Sequence, residues 1–406
     1  MFSGNPISHT TTLLYAARGV RGFADGFAII ILPAYLSAIG FDAVWVGVVA
    51  TASLLGSAVL TLAVGFLGAR HDLRALLTVG AIVMVATGLA FPQSADIAFI
   101  ALVAFIGTIN PSTGDIGMLV PLEHATLARV VPDKARTRAF ARYSLIGALA
   151  TAAGSLAAAT PQFLIAAGFT TIGAFQAMFY AYAALGVVNV LLYRRLPHVE
   201  ATDMRTTGSA LGPSRGIVYR LAALFSLDAF AGGFIVQSLL ALWLFERFEL
   251  SLAAASLFFF WSSVLSAFSY PVAAWLARHI GLVNTMVFTH IPSSICLILA
   301  AVSPNLGIAL TLLLVRSALS QMDVPTRTSY VMAVVTPAER TAAASVTAVP
   351  RSLASSMSPA LGGLMLTSAF SGLPLVVCGV LKISYDLALL WSFRHVKPPE
   401  EKRPSD

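Results

Sequence analysis

The chain is written twice. Phe23-Ala24-Asp25-Gly26-Phe27 returns as Phe230-Ala231-Gly232-Gly233-Phe234, 207 positions later. Ala69-Arg70-His71 returns as Ala277-Arg278-His279 at a spacing of 208. Met118, Val120, Pro121, Val130 and Val131 return as Met322, Val324, Pro325, Val334 and Val335 at 204. Three landmarks in one order, at nearly one spacing, mean that two halves of roughly 200 residues share a fold.

What the halves are made of sets their solvent. Of 406 residues 58% are hydrophobic and only 11% charged, against about 25% charged in soluble globular proteins. The deficit reflects a medium that cannot hydrate charge, so the chain is an integral membrane protein. A duplicated half in so apolar a chain is the plan of a secondary transporter, with its binding site between the repeats. Runs of roughly 20 apolar residues predict twelve spans, at 13–37, 44–68, 75–93, 98–131, 139–162, 173–194, 219–245, 252–277, 283–302, 306–335, 342–367 and 374–394. Arg18, Arg21 and Asp25 interrupt the first span and no basic residue precedes it, which argues against a cleavable signal peptide.

Basic residues orient the spans. With both termini inside, seventeen of the 25 Lys and Arg residues fall on the cytoplasmic side, Arg247 falls outside, and the rest lie within spans. The expected location is therefore the cell (inner or plasma) membrane, multi-pass, with cytoplasmic termini. The same asymmetry accounts for a pI near 9.6 without nucleic acid, because no aromatic residues are interleaved with the bases. The polar stretch Leu196 to Arg215 separates six spans from six. The expected domains are an N-terminal six-helix bundle at 1–195, a cytoplasmic linker at 196–218, and a C-terminal bundle with a short tail at 219–406.

Pro121 and Pro325 match across the repeat and predict a shared bend in spans four and ten. Small residues from Gly147 to Gly154 in span five, and from Ser352 to Gly363 in span eleven, predict close helix packing. Cys296 and Cys378 both sit in apolar helices and read as buried small hydrophobes.

Short motifs then carry a resemblance. Between spans two and three, Gly65-Phe66-Leu67-Gly68-Ala69-Arg70-His71-Asp72-Leu73-Arg74 is similar to the Gly-x-Leu-Ala-Asp-Arg-x-Gly-Arg-Arg turn of the major facilitator superfamily, matching at Gly65, Leu67, Arg70 and Arg74. Ala69 stands at the family's acid and Asp72 at its second glycine. The second half offers Leu276-Ala277-Arg278-His279-Ile280-Gly281. Val131 to Phe140 resembles the family's turn between spans four and five, and Thr336 to Ala342 is its counterpart. The resemblance implies an all-α fold of twelve transmembrane helices in two pseudo-symmetric six-helix bundles. It also implies a cytoplasmic gating role for Gly65, Arg70, Asp72, Arg74 and Arg278, with Asp72 in place of the missing acid. The Gly-Pro-x-x-Gly-Gly pattern that marks drug–proton antiporters in span five is absent there; Ser358 to Gly363 resembles it in span eleven. The subfamily stays unassigned.

An ionised side chain at mid-bilayer costs about 2.5–3.5 kcal/mol on insertion scales, so each needs a reason. They cluster in spans one, four, seven and ten, which line the central cavity in the family. Arg18, Arg21 and Asp25 share one face of span one. Asp115 and Glu123 share one side of span four, and Arg316, Asp323 and Arg327 form a stripe on span ten. Span seven contributes Asp228 and Gln237. At spacing 207 Arg21 aligns with Asp228, and at 204 Glu123 aligns with Arg327, so symmetry-related positions carry opposite charges twice. Arg21, Asp25, Glu123, Asp228, Asp323 and Arg327 are therefore expected to form a network that breaks and reforms during transport; the alternative is static pairs that orient helices. Asp25 and Glu123, then Asp115, are the candidate proton carriers. Asn110-Pro111-Ser112-Thr113-Gly114 reads equally as a ligand-binding helix break or as a kink. His124 and His290, isolated in apolar surroundings, read as hydrogen-bonded packing residues rather than metal ligands. Lys382 and Asp386 read as an i, i+4 ion pair on a peripheral helix.

These observations imply a transporter of a small organic solute working by alternating access, with proton-coupled export favoured over proton-coupled uptake or facilitated diffusion. No cofactor and no metal are expected, the proton gradient being the energy source. The expected partners are the solute and the lipid bilayer, without nucleic acid, and the chain is expected to act as a monomer. A membrane-embedded enzyme would need a nucleophile–base pair or a metal motif; the sequence has no His-Glu-x-x-His and no Asp-rich metal loop.

Overall fold

A computed structural model describes residues 6–67, 72–112, 117–197, 211–336, 339–394 and 396. Among them the only regular structure is helical. The first half holds α1 (Pro6–Ala38), α2 (Ala43–Leu67), α3 (Leu73–Ala90), α4 (Ile97–Ile106), α5 (Leu119–Val130), α6 (Asp133–Ala157), α7 (Thr160–Ala166) and α8 (Thr171–Arg194). The second half holds α9 (Arg215–Gly233), α10 (Gln237–Phe248), α11 (Leu252–Ile280), α12 (Leu282–Val302), α13 (Leu306–Ser320), α14 (Asp323–Val334), α15 (Arg340–Met357), α16 (Pro359–Leu366) and α17 (Leu373–Phe393).

The scarce polar residues of the short loops are mostly caps. Asp72, Asp96, Thr170 and Asn305 each accept a backbone N–H in the first turn of α3, α4, α8 and α13. Elsewhere the apolar runs satisfy their own backbone, as lipid demands. Phe163, Phe268 and Trp391 are 72%, 67% and 78% exposed. In water such a surface would aggregate; in a bilayer it matches the solvent.

Ten of the twelve expected spans are helical stretches long and apolar enough to cross a membrane. The other two, spans four and eleven, are broken. Span four is α4 and α5, separated from Gly107 to Met118; span eleven is α15 and α16, divided at Ser358 and Pro359. The bend expected at Pro121 and Pro325 is a true interruption. Each proline is the third residue of a new helix, α5 and α14, where its missing N–H has no intrahelical partner to lose. These helices begin 204 residues apart, at the spacing of the repeat.

Residue contacts group the chain into two compact units, 1–205 with 236–263, and 206–235 with 264–406. Residues 198–210 of the expected linker lie outside the described residues. In unit 1, α1 packs against α6 and α8, and α10 packs against α1 and α2. Around that centre Leu14, Ala17, Leu77, Leu122 and Tyr143 form a buried core. In unit 2, α9 packs against α15 and α17, and its core includes Leu221, Phe225, Met286, Tyr330 and Tyr385.

The small residues expected to serve packing are where these helices meet. A Cβ on Gly26 would lie 2.1 Å from the Thr151 carbonyl oxygen, and one on Gly154 would lie 2.0 Å from that of Phe23. In unit 2 a Cβ on Gly362 would lie 2.1 Å from the Phe234 carbonyl oxygen, and one on Gly233 equally near Ser358 Oγ. Only glycine allows such approach.

Candidate functional site

Among the described residues each unit buries a charge cluster, and the two share one pair of equivalent positions, 21 and 123 in the first half and 228 and 327 in the second. In unit 1 Arg21 on α1 donates through Nη2 to Glu123 Oε2 on α5 at 2.6 Å. Glu123 has no exposed surface. Tyr193 on α8 donates to its other oxygen at 2.6 Å, and Tyr143 on α6 donates to Oε2. Arg21 also donates to Tyr143 Oη at 3.0 Å. A carboxylate meeting one cation and two phenols is the kind of satisfied network that a low-dielectric interior tolerates. Beside it the Arg18 guanidinium lies over the Tyr143 ring, 5.3 Å from its centre. Gly147 makes the room, since a Cβ there would stand 2.2 Å from Arg18 Nε.

One turn along α1, Asp25 has a different role. No hydrogen bond or ion pair reaches its carboxylate among the described residues. It lines, with Arg21, Ser57, Thr108 and Asn110, an open cleft enclosing about 420 Å³ of non-atom space, mouth included. The other wall is the break in span four, Gly107–Asn110 and Gly117–Val120. Ser112 N–H bonds Asn110 Oδ1 at 3.0 Å, and Ser238 N–H bonds the Pro111 carbonyl at 3.0 Å. The break is thus held in a defined shape within unit 1. Gln237, first residue of α10, is half-buried in the same unit. Asp115 lies outside the described residues.

Unit 2 carries the inverse polarity. Asp228 on α9 stands where Arg21 stands, and Arg327 on α14 where Glu123 stands. Arg327 Nη1 meets Asp323 Oδ2 at 2.8 Å and Asp228 Oδ2 at 3.4 Å. Lys382 on α17 donates to Asp228 Oδ1 at 2.6 Å. His290 on α12 lies with Nδ1 3.1 Å from Asp386 Oδ1 and Nε2 3.3 Å from Lys382 Nζ. This corrects two expectations. Lys382 and Asp386 do not pair with each other, because their side chains reach inward to different partners. His290 is not isolated but sits at the centre of a buried polar group. Arg316, half-buried on α13, has no carboxylate within ion-pair distance among the described residues.

The sequence-predicted network therefore appears as Arg21–Glu123 in one unit and Asp228–Arg327–Asp323 in the other. Tyr143, Tyr193, His290, Lys382 and Asp386 were not among the predicted site residues. The available signal was charge inside spans nine and twelve; for the tyrosines there was none. Of the gating residues, Arg70 lies outside the described residues and Gly65 falls in the last turn of α2. Asp72 caps α3 through Arg74 N–H at 3.0 Å, and Arg278 is exposed near the end of α11.

Duplicated helical halves, paired breaks and a buried ion pair at equivalent positions in each define a polytopic membrane transporter. The chain belongs to the Major Facilitator Superfamily, whose profile it matches over residues 14–230 and 221–406. It is 23% identical to an uncharacterized membrane protein of Saccharomyces cerevisiae, YJR124C, covering 98% of this chain and 96% of that one. Solved structures share the fold. A bacterial homologue of the human lysosomal transporter Spinster, inward-facing and occupied, superposes with a TM-score of 0.75 at 14% identity, over 97% and 98% of the two chains. The xylose transporter XylE of E. coli, inward open, does so at 0.75 and 13% identity, over 97% and 98%. The human organic anion transporter MFSD10 does so at 0.66 and 15%, over 95% and 100%.

Proposed function

We propose that the chain moves a small organic solute across the cell membrane by alternating access, driven by protons carried on Asp25, in the direction of export, with both termini cytoplasmic. The observation that carries the reading is the contrast between two neighbouring acids. Glu123 is held by Arg21 and two tyrosines, whereas Asp25 faces the cleft with no bonded partner among the described residues. An uncommitted carboxylate within a membrane span is available to a proton, and intramembrane ionisable groups are functional by default. Beside Asp25, Arg21, Ser57, Thr108 and Asn110 line the cleft and supply polar contacts for a solute.

The test is flux in proteoliposomes under an imposed pH gradient, across organic anions, sugars and nucleosides. Gradient-driven accumulation that vanishes in Asp25→Asn while solute counterflow survives supports coupling at Asp25. Equal gradient response in the variant overturns it, and the sign of the gradient separates export from uptake. Counterflow with no response to any gradient in the unaltered protein identifies facilitated diffusion.

A further inference from the structure

The polar group around His290 has no part in the mechanism above, yet its hydrogen-bond directions are overdetermined. A lysine ammonium carries donors only. Lys382 is held in that form by Asp228 at 2.6 Å, so at 3.3 Å it donates to His290 Nε2, which must accept. The imidazole is then neutral, with its hydrogen on Nδ1, pointed at Asp386 Oδ1 at 3.1 Å. Asp386 is fully buried, and its second oxygen, Oδ2, has no hydrogen-bond partner among the described residues. A carboxylate left half-satisfied in a membrane interior stabilises positive charge on the ring it faces.

A proton added to Nε2 reverses that atom's role. The new N–H would face the Lys382 ammonium donor to donor. Its next acceptor is Asp228 Oδ1, 3.9 Å from Nε2, the oxygen Lys382 now occupies. We propose that His290 with Asp386 is a proton-binding site in unit 2, and that proton binding exchanges the cation on Asp228 from Lys382 to His290. The proton comes from solvent and the imidazole becomes imidazolium; no covalent bond but the new N–H forms, and the Lys382 hydrogen bonds to Asp228 and His290 give way to one from His290 to Asp228.

The surroundings set the limits of the switch. From α14, Arg327 stays on Asp228 Oδ2 and ties it to Asp323. From α17, Tyr385 meets the imidazole edge-on, 6.1 Å between ring centres, and Cys378 is buried one turn before Lys382. Arg351 on α15 and Arg316 on α13 add fixed positive charge to the same unit; Ser293, on the helix of His290, donates to the Arg316 carbonyl at 3.4 Å. Of the groups touching His290, Lys382 is already committed to a short ion pair with Asp228, which leaves the ring and Asp386 as the groups that can take up a proton. The proposal is independent of Asp25.

The experiment is nitrogen NMR of the full-length protein in phospholipid vesicles with 15N-histidine, from about pH 9 to about pH 5, which spans the ordinary histidine range. His290→Gln assigns the resonance; if that variant is not monodisperse, Lys382→Gln assigns it by freeing Nε2. The expected spectrum shows an Nδ1–H neutral ring at high pH that converts reversibly to imidazolium. Asp386→Asn is expected to move the midpoint by about one pH unit or more, a tenfold change in proton affinity. A ring that keeps one form across the range, an Nε2–H tautomer, or an unmoved midpoint in Asp386→Asn overturns the proposal. Repeating the titration in Asp25→Asn keeps the two readings apart, because His290 should titrate there even if transport is uncoupled.

Discussion

At Glu123 one carboxylate is reached by one guanidinium, and at Asp228 one carboxylate is reached by two cations. The difference has a measurable consequence. Glu123→Gln leaves Arg21 buried and 6% exposed with no anion bonded to it, a change that costs about 3–5 kcal/mol for pairs of this kind. Lys382→Gln leaves Asp228 its bond to Arg327 and strips no acid of its only cation, so its thermal midpoint is expected to fall less. Equal loss in both variants would refute the distinction. The repeat also suggests a rescue. Arg21→Asp with Glu123→Arg reproduces the polarity that unit 2 already holds at the same positions, so the double variant is expected to melt above either single one. How much of this was legible is clear residue by residue. The opposed charges at spacings 207 and 204 singled out four of the residues, but aligned Arg21 with Asp228 and Glu123 with Arg327, whereas the ion pairs form within each half, Arg21 with Glu123 and Asp228 with Arg327. Nothing announced Tyr143 and Tyr193, because a tyrosine in an apolar helix reads the same whether its hydroxyl is committed or not. His290, Lys382 and Asp386 were visible as charges, but helical spacing is blind to neighbours on other helices and paired Lys382 with the wrong acid.

Between elements, contact is decided by absences. Gly154 meets the Phe23 carbonyl and Gly362 that of Phe234; the glycines are 208 positions apart and the phenylalanines 211, so each half carries a glycine notch, its backbone neighbour shifted by about one helical turn in the second. The neighbour in each case is backbone, which cannot rotate away, and the helices must separate if a side chain is added. Gly154→Val and Gly362→Val are both expected to lower the yield of monodisperse protein severalfold by size-exclusion chromatography; an unchanged profile would show that the helices slide freely. The density of small residues foretold this packing, but which glycine carries the approach depends on helix rotation, to which composition is silent. Another junction is polar. Glu339, just before α15, accepts from Gly212 N–H at 2.6 Å, Ser214 N–H at 3.3 Å, Ser214 Oγ at 2.7 Å and Thr336 Oγ1 at 2.6 Å. It thereby ties the start of α9 to the turn after α14. The bonds from Thr336 and Ser214, then those from the backbone, hold its carboxyl at about 2. A depressed carboxyl stabilises the folded form above its ordinary titration and ceases to do so as pH falls through its own. The junction is therefore expected to be intact near neutrality and to loosen between about pH 4 and pH 2, the window bounded by an ordinary glutamate and this one. Hydrogen exchange at the Gly212 and Ser214 amides measures it, and Glu339→Gln should raise exchange at neutral pH. Amides equally protected in the variant would show that Glu339 is not the tie.

For the molecule as a whole, duplication explains both what the two units share and why they differ. A repeated half inherits helix breaks, glycine notches and the positions of buried charge, since these are set by packing. The sign of each charge is not inherited, because an ion pair is as well satisfied with its partners exchanged. Unit 1 keeps Arg21 and Glu123 with two phenols, and unit 2 keeps Asp228 and Arg327 with Lys382 and His290 added. Every bonded partner of each cluster lies in its own unit among the described residues. Two such clusters are separate terms in stability, and mutations without shared partners add to within about 0.5 kcal/mol. Glu123→Gln combined with Arg327→Gln is therefore expected to lower the thermal midpoint by the sum of the single shifts. Transport is expected to behave otherwise. Alternating access needs both halves in every cycle, so each single variant alone should abolish flux and the double variant has nothing further to lose. Thermal shift and proteoliposome flux on the same three preparations measure both. Additive melting beside all-or-none transport is the signature of independent cores serving one cycle. Strong non-additivity in melting would mean that the clusters are coupled in the resting protein, and near-normal flux in either single variant would mean that its cluster is structural.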